Sequence, residues 1–176
     1  MYIPQQAKPM SNILLRAIEP EDLDLLYQIE NNRQLWNVGT TNVPYSRYTL
    51  HDYIATSADD IYADRQVRLV VETAGGESVG LADIIHYDPR HQRAEVGIVI
   101  LDGARRQGYA TAALSELAVY AGSILHMHQL YGIVAADNTA ALSLFRKAGY
   151  QQQATLKDWL FDGHIYQDAV VMQTFL

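Results

Sequence analysis

Two arginines, a glycine and an alanine lie close together in the stretch from Glu95 to Leu114, where a strand-like apolar segment runs into a helix-like one. Arg105 and Arg106 can donate charge-assisted hydrogen bonds to an anion. Gly108 lets the backbone approach a phosphate closely, and Ala110 is small enough not to block it. Because a helix N-terminus carries unpaired N–H groups and a partial positive charge, this stretch predicts a cradle for a pyrophosphate.

The phosphate-binding motifs of other protein classes do not fit this turn. No Gly-Lys-Ser/Thr follows the glycine, as a Walker motif requires, and the dinucleotide fingerprint GxGxxG is absent. Taken alone, the turn is equally compatible with an ordinary strand-to-helix connection that uses a glycine for tightness. Both interpretations stay open at this point.

The periodicity of apolar residues predicts the elements that position this turn. Strands are expected at 13–17, 67–72, 79–87, 94–101, 130–135, 154–161 and 165–175. Helices are expected to begin at Pro20, to cover 50–63 and 108–123, and to begin again after an N-cap at Asn138 or Thr139. Asp162 and Gly163 are typical of a two-residue hairpin. The order β-α-α-β-β-β-α-β-α-β-β predicts an α+β (mixed α/β) protein with helices on both faces of a mixed sheet.

Length and composition narrow the class of protein. The 176 residues suit a single domain over 1–176, and no segment approaches the apolar run of about 20 residues that a membrane helix needs. The net charge of −7 argues against nucleic-acid binding. Cysteine is absent and the six histidines form no metal-binding pattern, so neither a thiol nucleophile nor a metal site is expected. We expect a cytoplasmic enzyme.

Two further segments indicate which protein family has a turn of this kind. Arg105-x-x-Gly108-x-Ala110 matches the RxxGxG/A coenzyme loop of the GNAT superfamily of N-acetyltransferases. The segment 138–150 resembles that family's N…LYxKxGF motif, and 163–168 resembles the NGxYxD hairpin of the branch that holds ribosomal-protein-alanine and spermidine acetyltransferases. The resemblance runs from about Ile13 to the C-terminus. It implies the GNAT fold, a mostly antiparallel sheet of about seven strands with a splayed parallel pair.

The same resemblance implies acetyl-CoA as co-substrate and assigns residues to it. The backbone of three strand residues would hold the pantetheine arm, as an added strand does: Ile98, Val99 and Ile100. The loop residues would hold the diphosphate: Arg105, Arg106, Gln107, Gly108, Tyr109 and Ala110. Asn138 would contact the cofactor from the opposite wall. The side chains of the three strand residues are also ordinary core residues, and both roles are compatible.

Phe145 departs from the family pattern. Many relatives have a tyrosine there, whose phenol protonates the departing thiolate, and phenylalanine cannot donate a proton. By position Phe145 is expected beside the cofactor, although it also belongs to an apolar helix stripe and can simply pack in the core. Ser143 and Tyr150 are the possible substitutes. Because coenzyme A thiolate is a tolerable leaving group, direct transfer without a strong acid is conceivable.

Glu95 is the candidate catalytic base. Amines are mostly protonated at neutral pH, so a base or a water relay helps the attack on the thioester. The acetyl group should lie four or five strand residues, about 3.3 Å each, before the phosphate loop, and counting back from Leu101 gives Val96 or Gly97. The alternative is a solvated strand glutamate.

The acceptor remains open among a small amine, a polyamine and a peptide or protein N-terminus. A polyamine needs several carboxylates, and the loop 31–48 contains no acid, although Trp36 and Tyr45 could offer aromatic faces to a cation. A coenzyme-binding module that has lost catalysis is the rival from another class, favoured by Phe145. The exposed hairpin near Asp162 could serve a homo-oligomer.

Overall fold

The computed structural model describes residues 12–36, 43–57 and 60–176. Its seven strands form one sheet in the order β1-β2-β3-β4-β5-β7-β6. The strands are β1 Ile13–Ala17, β2 Val67–Thr73, β3 Ser78–Asp88, β4 Arg93–Ile100, β5 Gln129–Ala135, β6 Gln151–Phe161 and β7 Tyr166–Phe175. The helices are α1 Leu23–Glu30, α2 Arg47–Thr56, α3 Ile61–Asp64, α4 Tyr109–Ser123 and α5 Thr139–Lys147.

Every neighbouring pair in the sheet is antiparallel except β4 and β5, which run parallel. This confirms the predicted mixed, mostly antiparallel sheet. A parallel pair needs a long crossover connection, and α4 supplies it between β4 and β5.

Each face of the sheet is covered by helices, as predicted. On one face, Leu114 and Leu117 of α4 and Leu142 and Phe145 of α5 pack against strand residues such as Ile84. On the other face, α1 and α2 pack with Val70 and Leu81; their buried residues are Leu25, Leu26, Ile29 and Leu50. The sheet therefore lies between two hydrophobic cores.

The second predicted helix differs from what the structure shows. The single helix predicted over 50–63 is two helices. Ser46 starts α2 by accepting a hydrogen bond from the Thr49 N–H, whereas Asp60 starts α3 by accepting one from the Tyr62 N–H. The second cap marks a new helix start. Residues 58–59 of this range, and residues 37–42 of the loop 31–48 before it, lie outside the described part of the chain.

The last hairpin is also longer than the two-residue turn predicted. β6 ends at Phe161 and β7 begins at Tyr166, so four residues connect them. Asp162 closes this loop because its side chain accepts hydrogen bonds from the N–H groups of His164 and Ile165. Within the described residues, no helix is long and apolar enough to cross a bilayer.

Candidate functional site

A gap opens between β4 and β5. The two strands pair only at Arg93–Gln129, Ala94–Leu130 and Glu95–Tyr131. Beyond Glu95, β4 continues to pair with β3 as far as Ile100, and β5 continues to pair with β7 as far as Ala135. Each strand keeps its outer neighbour while the inner ladder stops, which is the splayed parallel pair expected from the sequence.

The residues predicted to hold the pantetheine arm lie along the β4 side of this gap. Ile98 and Ile100 pack in the core beneath α4, whereas Val99 packs in the core beneath α1 and α2. Their side chains are therefore occupied in the two cores. Their backbone edge toward β5 lacks a ladder partner there, and such an edge can accept an added strand. The geometry fits the predicted role, which remains a prediction.

The turn after β4 has the conformation of an anion cradle. Gly108 is the N-cap of α4 in the left-handed region (φ 87°), and no side chain caps the helix. The Ala112 N–H bonds to the Gly108 carbonyl at 3.0 Å, so the earlier N–H groups of the helix lack partners within it. A Cβ built on Gly108 would meet nothing within 4 Å, which leaves open space above these donors. A diphosphate fits this arrangement of donors.

Side-chain bonds hold the cradle against the end of β4. Arg105 Nε donates to the Ile100 carbonyl at 3.1 Å, and Arg105 Nη1 pairs with Asp102 Oδ1 at 2.9 Å. Gln107 Nε2 lies 3.5 Å from the Gly103 carbonyl, and Arg106 has a left-handed backbone (φ 62°). The structure therefore brings residues 105–110 together at the end of the gap that Ile100 borders.

The side chains of Asn138 and Phe145 both make contacts within the protein itself. Asn138 Oδ1 caps α5 by accepting from the Ala141 N–H at 3.0 Å. Phe145 is buried, and its ring lies against Gly132 of β5 so closely that a Cβ there would come within 2.6 Å of it. The packing alternative for Phe145 is thus realised, on the strand that forms one wall of the gap. A cofactor contact from either residue remains a prediction.

Tyr150, one of the possible substitute acids, is buried edge-to-face on Phe145, with ring centroids 5.0 Å apart. Its hydroxyl has no hydrogen-bond partner within the described part of the chain, and burial raises the pKa of Tyr150. The other possible substitute, Ser143, is exposed on α5. Among the residues that the structure describes, neither Ser143 nor Tyr150 has a partner that would activate it as a proton donor.

Glu95 sits at the point where the gap begins. It lies opposite Ile85 of β3 and Tyr131 of β5, and its side chain is 17% exposed. Its Oε2 lies 2.9 Å from Nδ1 of His86, an exposed residue and one of the six histidines to which sequence analysis assigned no role. Burial and the charge of Glu95 both raise the pKa of Tyr131, so that phenol is protonated at neutral pH.

An open cavity of about 220 Å³ lies on the α1 and α2 side of the sheet. Its lining includes Ile85 and Asp83 of β3, which lie directly opposite Glu95 and Gly97 of β4. Directly opposed residues of an antiparallel pair project to the same face. Glu95 therefore projects to the face of the sheet that carries the cavity. It lies between the cavity and the gap that separates β4 from β5.

Three charged side chains from separate segments form one wall of this cavity. Arg68 Nε and Nη2 donate to both carboxylate oxygens of Asp83, at 2.9 and 3.0 Å, and Arg68 Nη1 donates to Glu30 Oε1 at 2.5 Å. Burial opposes the charge on the guanidinium, but Asp83 and then Glu30 outweigh it and raise the pKa of Arg68. With two carboxylates and one guanidinium, this wall carries one net negative charge.

Sequence analysis missed this cluster because no spacing links residues 30, 68 and 83. Of the two aromatic residues that the sequence suggested for contact with a cation, one lines the cavity. Tyr45 does line the cavity, whereas Trp36 does not appear in the lining and already has the Arg33 guanidinium 5.7 Å from its ring centre. The loop 31–48 does lack acids, but Glu30 lies one residue before it and supplies one.

Comparisons with known proteins agree with this geometry. A family model described as an acetyltransferase (GNAT) domain matches residues 12–151. Spermidine N(1)-acetyltransferase of Vibrio cholerae is 28% identical over 158 residues, which are 90% of this chain and 90% of that protein. The crystal structure of spermidine N-acetyltransferase from V. cholerae in complex with CoA and spermine has a TM-score of 0.83 at 27% identity, covering 93% of this chain and 95% of that one. A dodecameric structure of the V. cholerae enzyme has a TM-score of 0.77 at 28% identity, covering 93% and 94%.

Proposed function

Since the chain belongs to the GNAT acetyltransferase family and transfers an acetyl group from acetyl-CoA to an amine, we propose that its acceptor is a polyamine such as spermidine. The observation that carries the proposal is the acidic cavity beside Glu95. Its lining residue Ile85 lies opposite Glu95, at the point where β4 and β5 separate.

The charge of the cavity favours a cation over an anion. Among its described lining residues, Arg68 is the one basic side chain, and two carboxylates already occupy its donors. An amino-acid carboxylate would have to displace one of them. An ammonium group can instead pair with Glu30 or Asp83, and Tyr45 and Tyr53 can contact an alkyl chain or its charges. The overall charge of −7 adds a long-range attraction.

The co-substrate is proposed to lie in the gap. The backbone of Ile98, Val99 and Ile100 would pair with the pantetheine arm, and residues 105–110 would bind the diphosphate. The thioester would then reach the neighbourhood of Glu95, which we propose belongs to the group that accepts the proton of the amine. A backbone N–H near Ile98 would stabilise the oxyanion that forms on the thioester carbonyl.

The test is an amine panel with acetyl-CoA, followed by thiol release. Spermidine and spermine should be acetylated with higher kcat/KM than amino acids, monoamines or a peptide N-terminus. Cofactor binding without thiol release from any amine would contradict acetyl transfer. A preference for the peptide or the amino acids would contradict the polyamine proposal alone.

A change of charge in the cavity should alter KM for the amine but not KM for acetyl-CoA. E30Q keeps the shape of the Arg68 contact but removes one negative charge, so KM for spermidine should rise roughly tenfold, the equivalent of one weakened ionic contact. KM for acetyl-CoA should be unchanged. D24N on the same helix is the matched control, because Asp24 is exposed and pairs with Arg47 outside the cavity lining. Equal effects of the two variants would point to general charge rather than to the cavity.

We further propose that the chain forms a homo-oligomer and acts in the cytoplasm. The β6–β7 hairpin exposes Trp159, Phe161, Ile165 and Tyr166, each more than half accessible, beside the edge strand β6. An exposed edge with large apolar side chains can pair with another chain. The absence of cysteine excludes a disulfide framework and fits a cytoplasmic enzyme.

A further inference from the structure

His86 lies on a β-bulge that changes which face its side chain occupies. β3 and β4 pair in regular register up to Ile85–Glu95, and the register then shifts before Asp88–Arg93. Ile84 and Tyr87 are buried in the core beneath α4, whereas Ile85 lines the cavity and the His86 ring reaches Glu95. Two consecutive residues, Ile85 and His86, therefore share the cavity face. Bulges re-aim side chains in this way and are frequent beside active sites.

The backbone of His86 is held in an unfavourable conformation. Its φ is 53°, in the left-handed region, which costs a non-glycine residue about 1 kcal/mol or more. Such conformations persist where the surrounding structure imposes them, and they cluster at functional sites. Here the conformation has a visible result, the contact between His86 Nδ1 and Glu95 Oε2 at 2.9 Å.

This contact decides which nitrogen of the ring is free. A carboxylate accepts hydrogen bonds, so Nδ1 carries a proton toward Glu95 and Nε2 of the neutral ring keeps its lone pair. The side chain of His86 is 65% exposed, which leaves room for a second partner. An imidazole is a better proton acceptor at neutral pH than a free carboxylate, because its basicity lies closer to that of the medium.

We propose that Nε2 of His86 is the proton acceptor for the amine substrate and that Glu95 is the positioning residue that orients it. The inference rests on the proposed function, since it concerns the acceptor cavity of that same reaction. Glu95 thereby remains part of the proton-accepting group, while the imidazole of His86 takes the proton itself.

The charged groups around the ring support this division of roles. From β4, Glu95 contacts the ring, and Arg93 is paired with Asp88 of β3 at 3.5 Å. From β5, Tyr131 faces Glu95 with a raised pKa, so it does not compete for the proton. Among these groups Glu95 is the one in contact with His86, so its carboxylate orients the ring.

The proton balance of the step is complete without a separate acid. His86 Nε2 takes one proton from the ammonium group, and the neutral amine then forms the C–N bond with the thioester carbonyl carbon. As the C–S bond breaks, the second proton lost by the nitrogen neutralises the thiolate. The exposed imidazolium returns its proton to solvent. Phe145, which cannot donate a proton, is compatible with this sequence.

The test uses substitutions that tolerate the left-handed backbone. H86N retains a side-chain donor toward Glu95 but has no basic nitrogen, and Asn accepts this conformation readily. We expect kcat/KM for spermidine to fall about 100-fold at neutral pH, and the deficit to shrink at high pH, where the amine loses its proton to solvent. H86G should lose activity similarly and regain part of it when imidazole is added.

The matched control is H126N, since His126 has the same φ of 53° and is exposed beyond the C-terminus of α4. It should retain wild-type activity and the wild-type pH profile. If H86N stays within about threefold of wild type with an unchanged pH profile, and H86G shows no response to imidazole, the proton acceptor is not His86. An inactive wild-type protein with every amine would contradict the proposed function instead.

Discussion

At the scale of single residues, the chemistry that we propose is concentrated where β4 and β5 separate. Glu95 occupies that point, largely buried, with His86 on one side and the Tyr131 phenol on the other. A carboxylate alone is a weak base for an ammonium group, and we propose that the imidazole in contact with it accepts the proton instead. The position of Glu95 was predictable by counting along a strand. The contribution of His86 was not, because the bulge breaks the alternation on which such counting depends.

We expect E95Q to lower kcat about 100-fold at neutral pH and by less at high pH, because loss of the carboxylate removes the orientation and charge that support the proton acceptor. Steady-state rates between pH 6 and 10 with saturating acetyl-CoA measure this. A rate that falls equally at every pH would remove Glu95 from the proton-accepting group.

Tyr150 gives a prediction about stability. Its hydroxyl is buried and lacks a partner in the part of the chain that the structure describes. An unsatisfied buried hydroxyl costs about 1 kcal/mol or more, so Y150F should raise the free energy of unfolding in urea by about 1 kcal/mol and leave kcat within twofold. A large loss of kcat with unchanged stability would instead identify Tyr150 as the proton donor to the thiolate.

At the scale of elements, local patterns in the sequence predicted most of the architecture. All seven strands were located to within a few residues, and Asn138 caps α5 as one of the two candidates. The failures have physical causes. The helix predicted over 50–63 overlooks two polar caps, Ser46 and Asp60, that define separate helix starts. The wall formed by Glu30, Arg68 and Asp83 combines three elements, so only the folded sheet brings its charges together.

Gly108, in the turn at residues 105–110, allows a direct test of diphosphate binding. G108A should destabilise the fold by about 1 kcal/mol, because alanine must adopt a left-handed conformation there. It should also raise KM for acetyl-CoA roughly tenfold, since the new methyl group occupies space above the N–H donors of α4.

G163A is its control. Gly163 also has a positive φ (98°) and open space around it, so the conformational cost should be similar, but it lies in the β6–β7 hairpin. Unfolding curves and KM for acetyl-CoA should separate the two effects. A KM that rises equally in both variants would exclude a direct role of Gly108 in diphosphate binding.

At the scale of the whole molecule, the chain presents an edge strand and a hairpin rich in large apolar side chains. Light scattering should give a mass above the 19.8 kDa of one chain. F161E/I165E should lower that mass, because charges on an apolar contact must be desolvated on association. V119E/I124E, which charges two equally exposed apolar residues at α4, should not. A wild-type mass of one chain, or an effect of the α4 variant alone, would contradict assembly through the hairpin.

We propose that the gap between β4 and β5 holds the pantetheine arm of coenzyme A while the turn at its end holds the diphosphate. A crystal structure with bound coenzyme A tests it most directly. The arm should pair with the backbone of Ile98–Ile100, and the diphosphate should accept hydrogen bonds from the N–H groups of residues 106–110. Density for the ligand elsewhere, with residues 105–110 free of it, would contradict the claim.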